Sequence, residues 1–341
     1  MTRKVILFSM VLVLGVALMG ASPGSSEAAT IQLTYSNFFP PTHFNAILGE
    51  SWAKEIENRT NGQVKFTLFP GGALLKGPEI YDGVSRGISD VGMSLFAYTA
   101  GRFPVMEALD LPIGYPDGKT ATYVANDFYN KFKPAEIEGV KMLYLHAHGP
   151  GLLHSRKEVT KLEDVRGLKV RCTGFSARAV TALGGVPVAM GQGGAYEALQ
   201  KGVVEATLAP MEVLKGWKQA EVIKYTVESY SIGYTTAMYV IMNDKKWNAL
   251  PKDVQKVFEE VSKEWIAKHA EGWDKADEEG REFTLSLGNT IIPLSENENN
   301  LWAYNVRSVI DQYSGELESK GLPGKAYIQF IRDGIEKYSQ Q

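Results

Sequence analysis

Leu168-Lys-Val-Arg171-Cys172, Phe175 to Leu183, Val186-Pro-Val-Ala-Met190, Ala195 to Gly202 and Val204-Glu-Ala-Thr-Leu-Ala209 follow one another along the chain. The first, third and fifth pieces are short apolar runs closed by turn residues, the pattern of buried strands. The second and fourth have the length and composition of short helices. Strand, helix, strand, helix, strand in this order predicts parallel strands with helices on their faces.

Working outward, the same alternation occurs upstream. Ile31 to Ser36 alternates with period two and predicts a strand, and His43 to Asn58 predicts a helix with Ile47, Trp52 and Ile56 on one face. Asn61-Gly62 marks a turn. Val64 to Phe69 is the next strand, stopped by Pro70-Gly71-Gly72, then Glu79 to Gly87 is a short helix and Asp90 to Leu95 a strand. Val140 to His148 is a long apolar strand running into Gly149-Pro150-Gly151, and Thr235 to Met242 is another. Two α/β series predict two lobes on largely parallel sheets, with ligands held beyond the carboxyl ends of the strands. Leu250-Pro251 opens a long helix, with Val254, Val257, Phe258, Val261, Trp265 and Ile266 at three and four spacing, continuing past Trp273 towards Phe283. Thirty residues at ~1.5 Å each span about 45 Å, enough to cross both lobes.

The chain has 341 residues, which suggests about two domains. Hydrophobic residues at 44% and charged residues at 22% exclude a chain that is mainly disordered. A net charge of −3 argues against nucleic acid as a partner. The single cysteine, Cys172, excludes an internal disulfide framework and a cysteine-rich zinc site. The amino terminus has Thr2-Arg3-Lys4, then an apolar Val5 to Met19, then Ser26-Glu27-Ala28. That order predicts a signal peptide over residues 1–28, cleaved before Ala29, and an exported soluble protein. No cysteine follows the apolar run to carry a lipid.

Catalytic motifs fail one by one. His146 and His148 lie two apart on a strand and His154 follows, but no Cys or HExxH pattern completes a zinc site, and the pair reads as structural or hinge histidines. Gly174-Phe-Ser-Ala-Arg178 lacks the second glycine of a nucleophile elbow. Gly71-Gly72-Ala-Leu-Leu-Lys76 is not a phosphate-binding loop, because no Ser or Thr follows the lysine. Glu259-Glu260 and Glu278-Glu279 are solvated helix faces. No catalytic residue, metal ligand or cofactor is expected. Arg171 stands apart: it ends an apolar strand just before a glycine-containing turn, and reads either as an exposed strand-end arginine or as a guanidinium at the mouth of the cleft, whose planar fork would grip a carboxylate through two charge-assisted hydrogen bonds.

Several stretches together resemble a known family. Thr60 to Gly72, Gly87-Ile-Ser-Asp-Val-Gly-Met-Ser, Leu111-Pro112, Gly167-Leu-Lys-Val-Arg171, Leu183-Gly-Gly-Val-Pro-Val, Ala195 to Glu205 and Trp247 to Gln255 are similar, in order and spacing, to the solute receptors of tripartite ATP-independent periplasmic (TRAP) transporters. The resemblance implies a two-lobed periplasmic binding protein fold with a long helix spanning both lobes. It implies a signal peptide over 1–28, lobe I from 29–149 and 236–272, and lobe II from 150–235 and 273–341. It implies capture of an organic acid in the periplasm by a monomer and delivery to the membrane subunits of a TRAP permease. The carboxylate-binding arginine of the family maps onto Arg171.

Departures from the family pattern shape the expected ligand. A slot that can hold a second arginine carries Gly151, one where Asn is common carries Ala209, and an aromatic position carries Gln192. Positions that are acidic and basic in sugar-acid receptors carry Leu95 and Tyr98. With Phe38, Phe39, Phe96, Met190, Trp217 and Tyr234 as further cleft candidates, this set suits a monocarboxylate with a bulky, aromatic body. Gly149, Gly151, Gly191, Gly193 and Gly194 are expected to leave room for it. The alternative ligand is a C4 dicarboxylate or other small organic acid, which needs a second cation such as Lys76 or His43. A secreted enzyme on the same fold, or a receptor serving a sensor kinase, are the alternatives of other classes. The lobes are expected to hinge near 148–150 and 233–235 and about the long helix.

Overall fold

The computed structural model describes residues 30–340; the expected signal peptide lies outside the described residues. β1 (Ile31–Asn37), α1 (Phe44–Arg59), β2 (Val64–Phe69), α2 (Ile80–Ser85), β3 (Val91–Leu95), α3 (Gly118–Phe132) and β4 (Val140–Ala147) build the first lobe. The chain then crosses over. β5 (Leu152–Ser155), β6 (Lys169–Cys172), α4 (Ala177–Ala182), β7 (Val186–Ala189), α5 (Ala195–Gln200), β8 (Ala206–Ala209), α6 (Val213–Gly216) and β9 (Tyr225–Glu228) build the second. β10 (Ala237–Asn243) returns to the first sheet and leads through α7 (Asp244–Ala249) into α8 (Lys252–Ser286). β11 (Thr290–Pro293), α9 (Glu296–Ser319) and α10 (Gly324–Ser339) follow.

The two sheets are a five-stranded one in the order β2-β1-β3-β10-β4 and a six-stranded one in the order β11-β9-β5-β8-β6-β7. They are mixed rather than largely parallel. β1 is parallel to β2 and β3, and β6 to β7 and β8, as the strand–helix alternation requires. β10, however, runs antiparallel between β3 and β4, and β5 antiparallel between β8 and β9. The reason is topological. β10 and β5 each enter their sheet from the other lobe, so they start at the cleft where their neighbours end.

Each sheet has its own core. Leu33, Trp52, Met93, Val240 and Trp265 are buried in the first, and Leu153, Val170, Leu208, Val227 and Trp302 in the second. α8 has 35 residues, about 52 Å at 1.5 Å each. It packs on α1, α3 and β4 at one end and on α6 and β11 at the other, so it spans both lobes. The expected assignment of 273–341 to lobe II does not extend to α10. Its Tyr327, Ile328 and Ile331 join the core of the first lobe, and the helix lies against α3.

The cleft-facing ends are firmly made. α1 is capped by His43, whose Nδ1 accepts the Asn45 N–H at 3.1 Å. The two strand crossings are tied together: Gly151 N–H donates to the Tyr234 carbonyl at 2.8 Å and Thr235 Oγ1 to the His148 carbonyl at 2.5 Å.

Candidate ligand-binding cleft

Strands from both sheets point their carboxyl ends at one cavity. β1 delivers Phe38 and Phe39, β3 delivers Leu95 and Tyr98, and β4 delivers His148. From the second lobe β6 delivers Arg171 and Thr173, β7 leads to Gln192, and β8 leads to Ala209, Pro210 and Glu212. Trp217, Tyr234, Thr236, Met238 and, from α8, Trp273 complete the wall. About 400 Å³ of space, open to solvent on one side, lies among these residues.

Arg171 is the cation of this cavity. It lies on β6 between Val188 of β7 and Thr207 of β8, and only 2% of it is exposed. Its Nε and one Nη donate to the Met190 carbonyl at 3.2 and 2.9 Å. Among the described residues no carboxylate pairs with it. A buried guanidinium held on one side by a neutral carbonyl keeps donors free for an anion.

The opposite wall is aromatic. Phe38 packs on Phe39 with ring centres 4.1 Å apart, and Trp217 stacks over Phe38 at 6.3 Å. Tyr98 meets Phe38 edge-on at 5.5 Å, and its hydroxyl accepts the Gln192 N–H at 3.1 Å, joining the two lobes across the mouth. Burial raises the Tyr98 phenol above its ordinary value, so it stays protonated with its O–H free to donate.

A buried acid sits among these groups. Glu212 Oε1 lies 2.6 Å from His43 Nε2, and both side chains are buried. The Glu212 N–H donates to Asp277 Oδ1 at 2.7 Å, and burial holds the Asp277 carboxyl well above the usual range. His148 Nδ1 lies 2.6 Å from the Gly149 carbonyl, and burial pushes this imidazole down to about 4. Gln192 Nε2 and Thr236 Oγ1 are buried on the cavity wall without a partner among the described residues.

Phe38, Phe39, Leu95, Tyr98, Arg171, Gln192, Ala209, Trp217 and Tyr234 all line the cavity. Four expected residues do other work. Phe96 is fully buried in the first core against Phe103 and Tyr239. His43 stands behind the wall, ring-to-ring with Phe39 at 4.4 Å. Met190 contributes its carbonyl to Arg171, and its side chain borders an outer groove with Lys76. Gly151 opens no space, because the Tyr234 ring covers it, and Gly149 is likewise covered by Asp277. Gly191, Gly193 and Gly194 have open space beside them. Sequence reasoning missed Glu212, Thr173, Pro210, Val213, Thr236 and Met238. From the sequence, His148 reads only as a structural or hinge residue and Trp273 only as part of a helix stripe. None of the missed group carries a local motif.

Comparison with known proteins gives the chain a family. The family described as bacterial extracellular solute-binding protein, family 7, matches residues 36–316. The chain belongs to that family. A TRAP periplasmic solute-binding protein from Desulfovibrio salexigens, solved as an open complex, is 30% identical, with 91% of this chain and 97% of that one covered and a TM-score of 0.80. A TRAP solute-binding protein from Rhodoferax ferrireducens, solved with copurified benzoate, is 25% identical over 91% of this chain and 99% of that one, with a TM-score of 0.86. A monocarboxylate 2-oxoacid-binding periplasmic protein from Nostoc is 26% identical over 75% of this chain and 72% of its own length. The chain is thus a TRAP solute receptor of family 7, a family of solute-binding receptors, with the two-lobed α/β fold. No helix among the described residues is long and apolar enough to cross a membrane.

Proposed function

We propose that this family 7 receptor is exported to the periplasm by its first 28 residues. There, as a monomer, it closes on a monocarboxylate with a bulky aromatic body and hands it to a TRAP permease. The observation that carries the reading is Arg171, almost fully buried, without an acidic partner among the described residues, and facing Phe38, Phe39, Tyr98 and Trp217. A carboxylate completes the guanidinium's hydrogen bonds, and a ring gains ~0.5–1.5 kcal/mol per aromatic contact beyond area burial. The benzoate of the Rhodoferax receptor supports an aryl acid, and the Nostoc protein supports a single carboxylate.

The cavity disfavours a dicarboxylate. Lys76 borders the outer groove rather than the inner wall, and His43 is tied to Glu212. A second carboxylate would sit near Glu212 without a cation, at a cost of about 1–3 kcal/mol or more. Thermal-shift screening of benzoate, phenylacetate, indole acids and phenylpyruvate against succinate and malate tests the reading. Stabilisation by aryl acids is the expected result. Stabilisation by succinate or malate alone overturns it.

A further inference from the structure

Two hydrogen-bond acceptors face the cleft, and a plain aryl acid on Arg171 uses neither. The first is Glu212. His43 Nδ1 accepts the Asn45 N–H, so the ring hydrogen is on Nε2 and is donated to Glu212 Oε1. Glu212 Oε2 makes no hydrogen bond among the described residues, although the residue is only 2% exposed and lines the cavity. The second is His148. A carbonyl only accepts, so the short contact with Gly149 fixes the proton on Nδ1 and leaves Nε2 as a bare acceptor.

The Glu212 pair is built into the fold. A Cβ on Gly216 would stand 1.9 Å from Glu212 Oε1 and 3.0 Å from the His43 ring, so the absence of a side chain at 216 admits it. The backbone of Glu212 is held by Asp277 of α8. One oxygen is thereby fixed in place and the other left for the cleft.

We propose that Glu212 Oε2, with His148 Nε2, forms a subsite for a hydrogen-bond donor on the ligand, so that the acid captured is an aryl carboxylate carrying a hydroxyl or an ammonium group. This rests on the monocarboxylate reading above. Arg171 takes the carboxylate and the Glu212 subsite takes the donor. Gln192 Nε2 and Thr236 Oγ1, both buried on the cavity wall without partners among the described residues, are further polar groups for such a ligand. An acid lacking the donor covers both acceptors and leaves them unmet. A site made to hydrogen-bond a substrate group rejects the analogue without it far more strongly than an apolar pocket rejects an added one.

Calorimetry on the full mature protein with matched pairs tests this. One pair is benzoate against 2-, 3- and 4-hydroxybenzoate, which reads the hydroxyl. The other is 3-phenylpropanoate against phenylalanine, which reads the ammonium. The expected result is at least tenfold tighter binding of a donor-bearing acid than of its parent in the wild type, with the ratio falling below about threefold in Glu212→Gln. Equal affinities within both pairs overturn the subsite and leave the aryl-acid receptor standing, and so does an unchanged ratio in E212Q. If no member of either pair binds, the monocarboxylate reading fails and the subsite with it.

Discussion

Gly151 lies flat against the ring of Tyr234: a Cβ built on it would stand 1.8 Å from a ring carbon, while its N–H donates to the Tyr234 carbonyl at 2.8 Å. The tyrosine hydroxyl in turn donates to the Leu208 carbonyl at 2.8 Å. One ring is thus clamped between a strand crossing and β8 while its other side lines the cleft. Gly151→Ala should destabilise the protein by about 1–3 kcal/mol through overpacking, and weaken ligand binding by displacing the ring. Urea midpoints and calorimetry check both effects together. An alanine variant with wild-type midpoint and affinity would show that Tyr234 moves freely.

Arg171→Ala should lower affinity for the bound acid at least 100-fold, about 2.7 kcal/mol, because a desolvated charge loses its partner. The fold should survive, since among the described residues the guanidinium's only protein acceptor is a carbonyl that still borders the cleft. Calorimetry on a variant with an unchanged circular dichroism spectrum gives the answer. Wild-type affinity would remove Arg171 from the site.

Tyr98 and Gln192 meet across the mouth, one from each lobe, and nearby the Gly174 N–H donates to the Ala97 carbonyl at 3.2 Å. Tyr98→Phe removes one of these bridges and keeps the aromatic edge. The closed form should lose about 0.5–1.5 kcal/mol, so affinity should fall roughly 2- to 12-fold. Small-angle scattering on saturated protein should still show lobe closure about the crossings at 148–150 and 233–235. No change of radius between free and saturated wild type would rule closure out.

Glu107 predicts a pH effect away from the site. It is 3% exposed and accepts the Gly101 N–H at 2.6 Å. Burial first, and then the neighbouring Glu136, push its carboxyl up to about 7 from 4.5. A folded-state value above the unfolded one means stability that is present below the unfolded value and lost as pH rises through the folded one. Glu107→Gln removes that loss. Relative to wild type, the variant should gain on the order of 2 kcal/mol in going from pH 5 to pH 7.5, read from urea denaturation. Parallel pH curves for the two proteins would contradict it.

Much of this architecture was readable along the chain, and the limits were physical. Strands such as Ile31–Asn37 and Val64–Phe69 announce themselves by alternation, and Lys169–Cys172 only by the glycines and helices around it. Four-residue strands such as Tyr225–Glu228 and Thr290–Pro293 offer only two inward positions each, too few to establish a period. The stripe of Tyr327, Ile328 and Ile331 on α10 is helical in spacing, yet only the packed structure shows that it belongs with α3. In the site, Arg171 is legible because an arginine in a buried strand is chemically out of place. Glu212 is not, because its partner His43 lies 169 residues away and its own neighbourhood, Pro210-Met211-Glu212-Val213, resembles any short surface turn. Gly151 misleads for a similar reason: the missing side chain suggests a vacancy, and only the fold shows the tyrosine that fills it.

The path of the chain through the first sheet has a consequence for how the molecule comes into being. β10, residues 237–243, sits between β3 and β4, so the sheet begun at residue 31 has a gap in its middle until that strand arrives. By then the whole stretch carrying β5 to β9 has already been made. The second sheet still lacks its edge strand β11 and the core residues Leu294, Trp302 and Val306, so a chain emerging amino terminus first has no finished half to set aside. Cut at either crossing, it should yield no fragment that folds alone, and the two halves of the trap must be assembled together in a single late event.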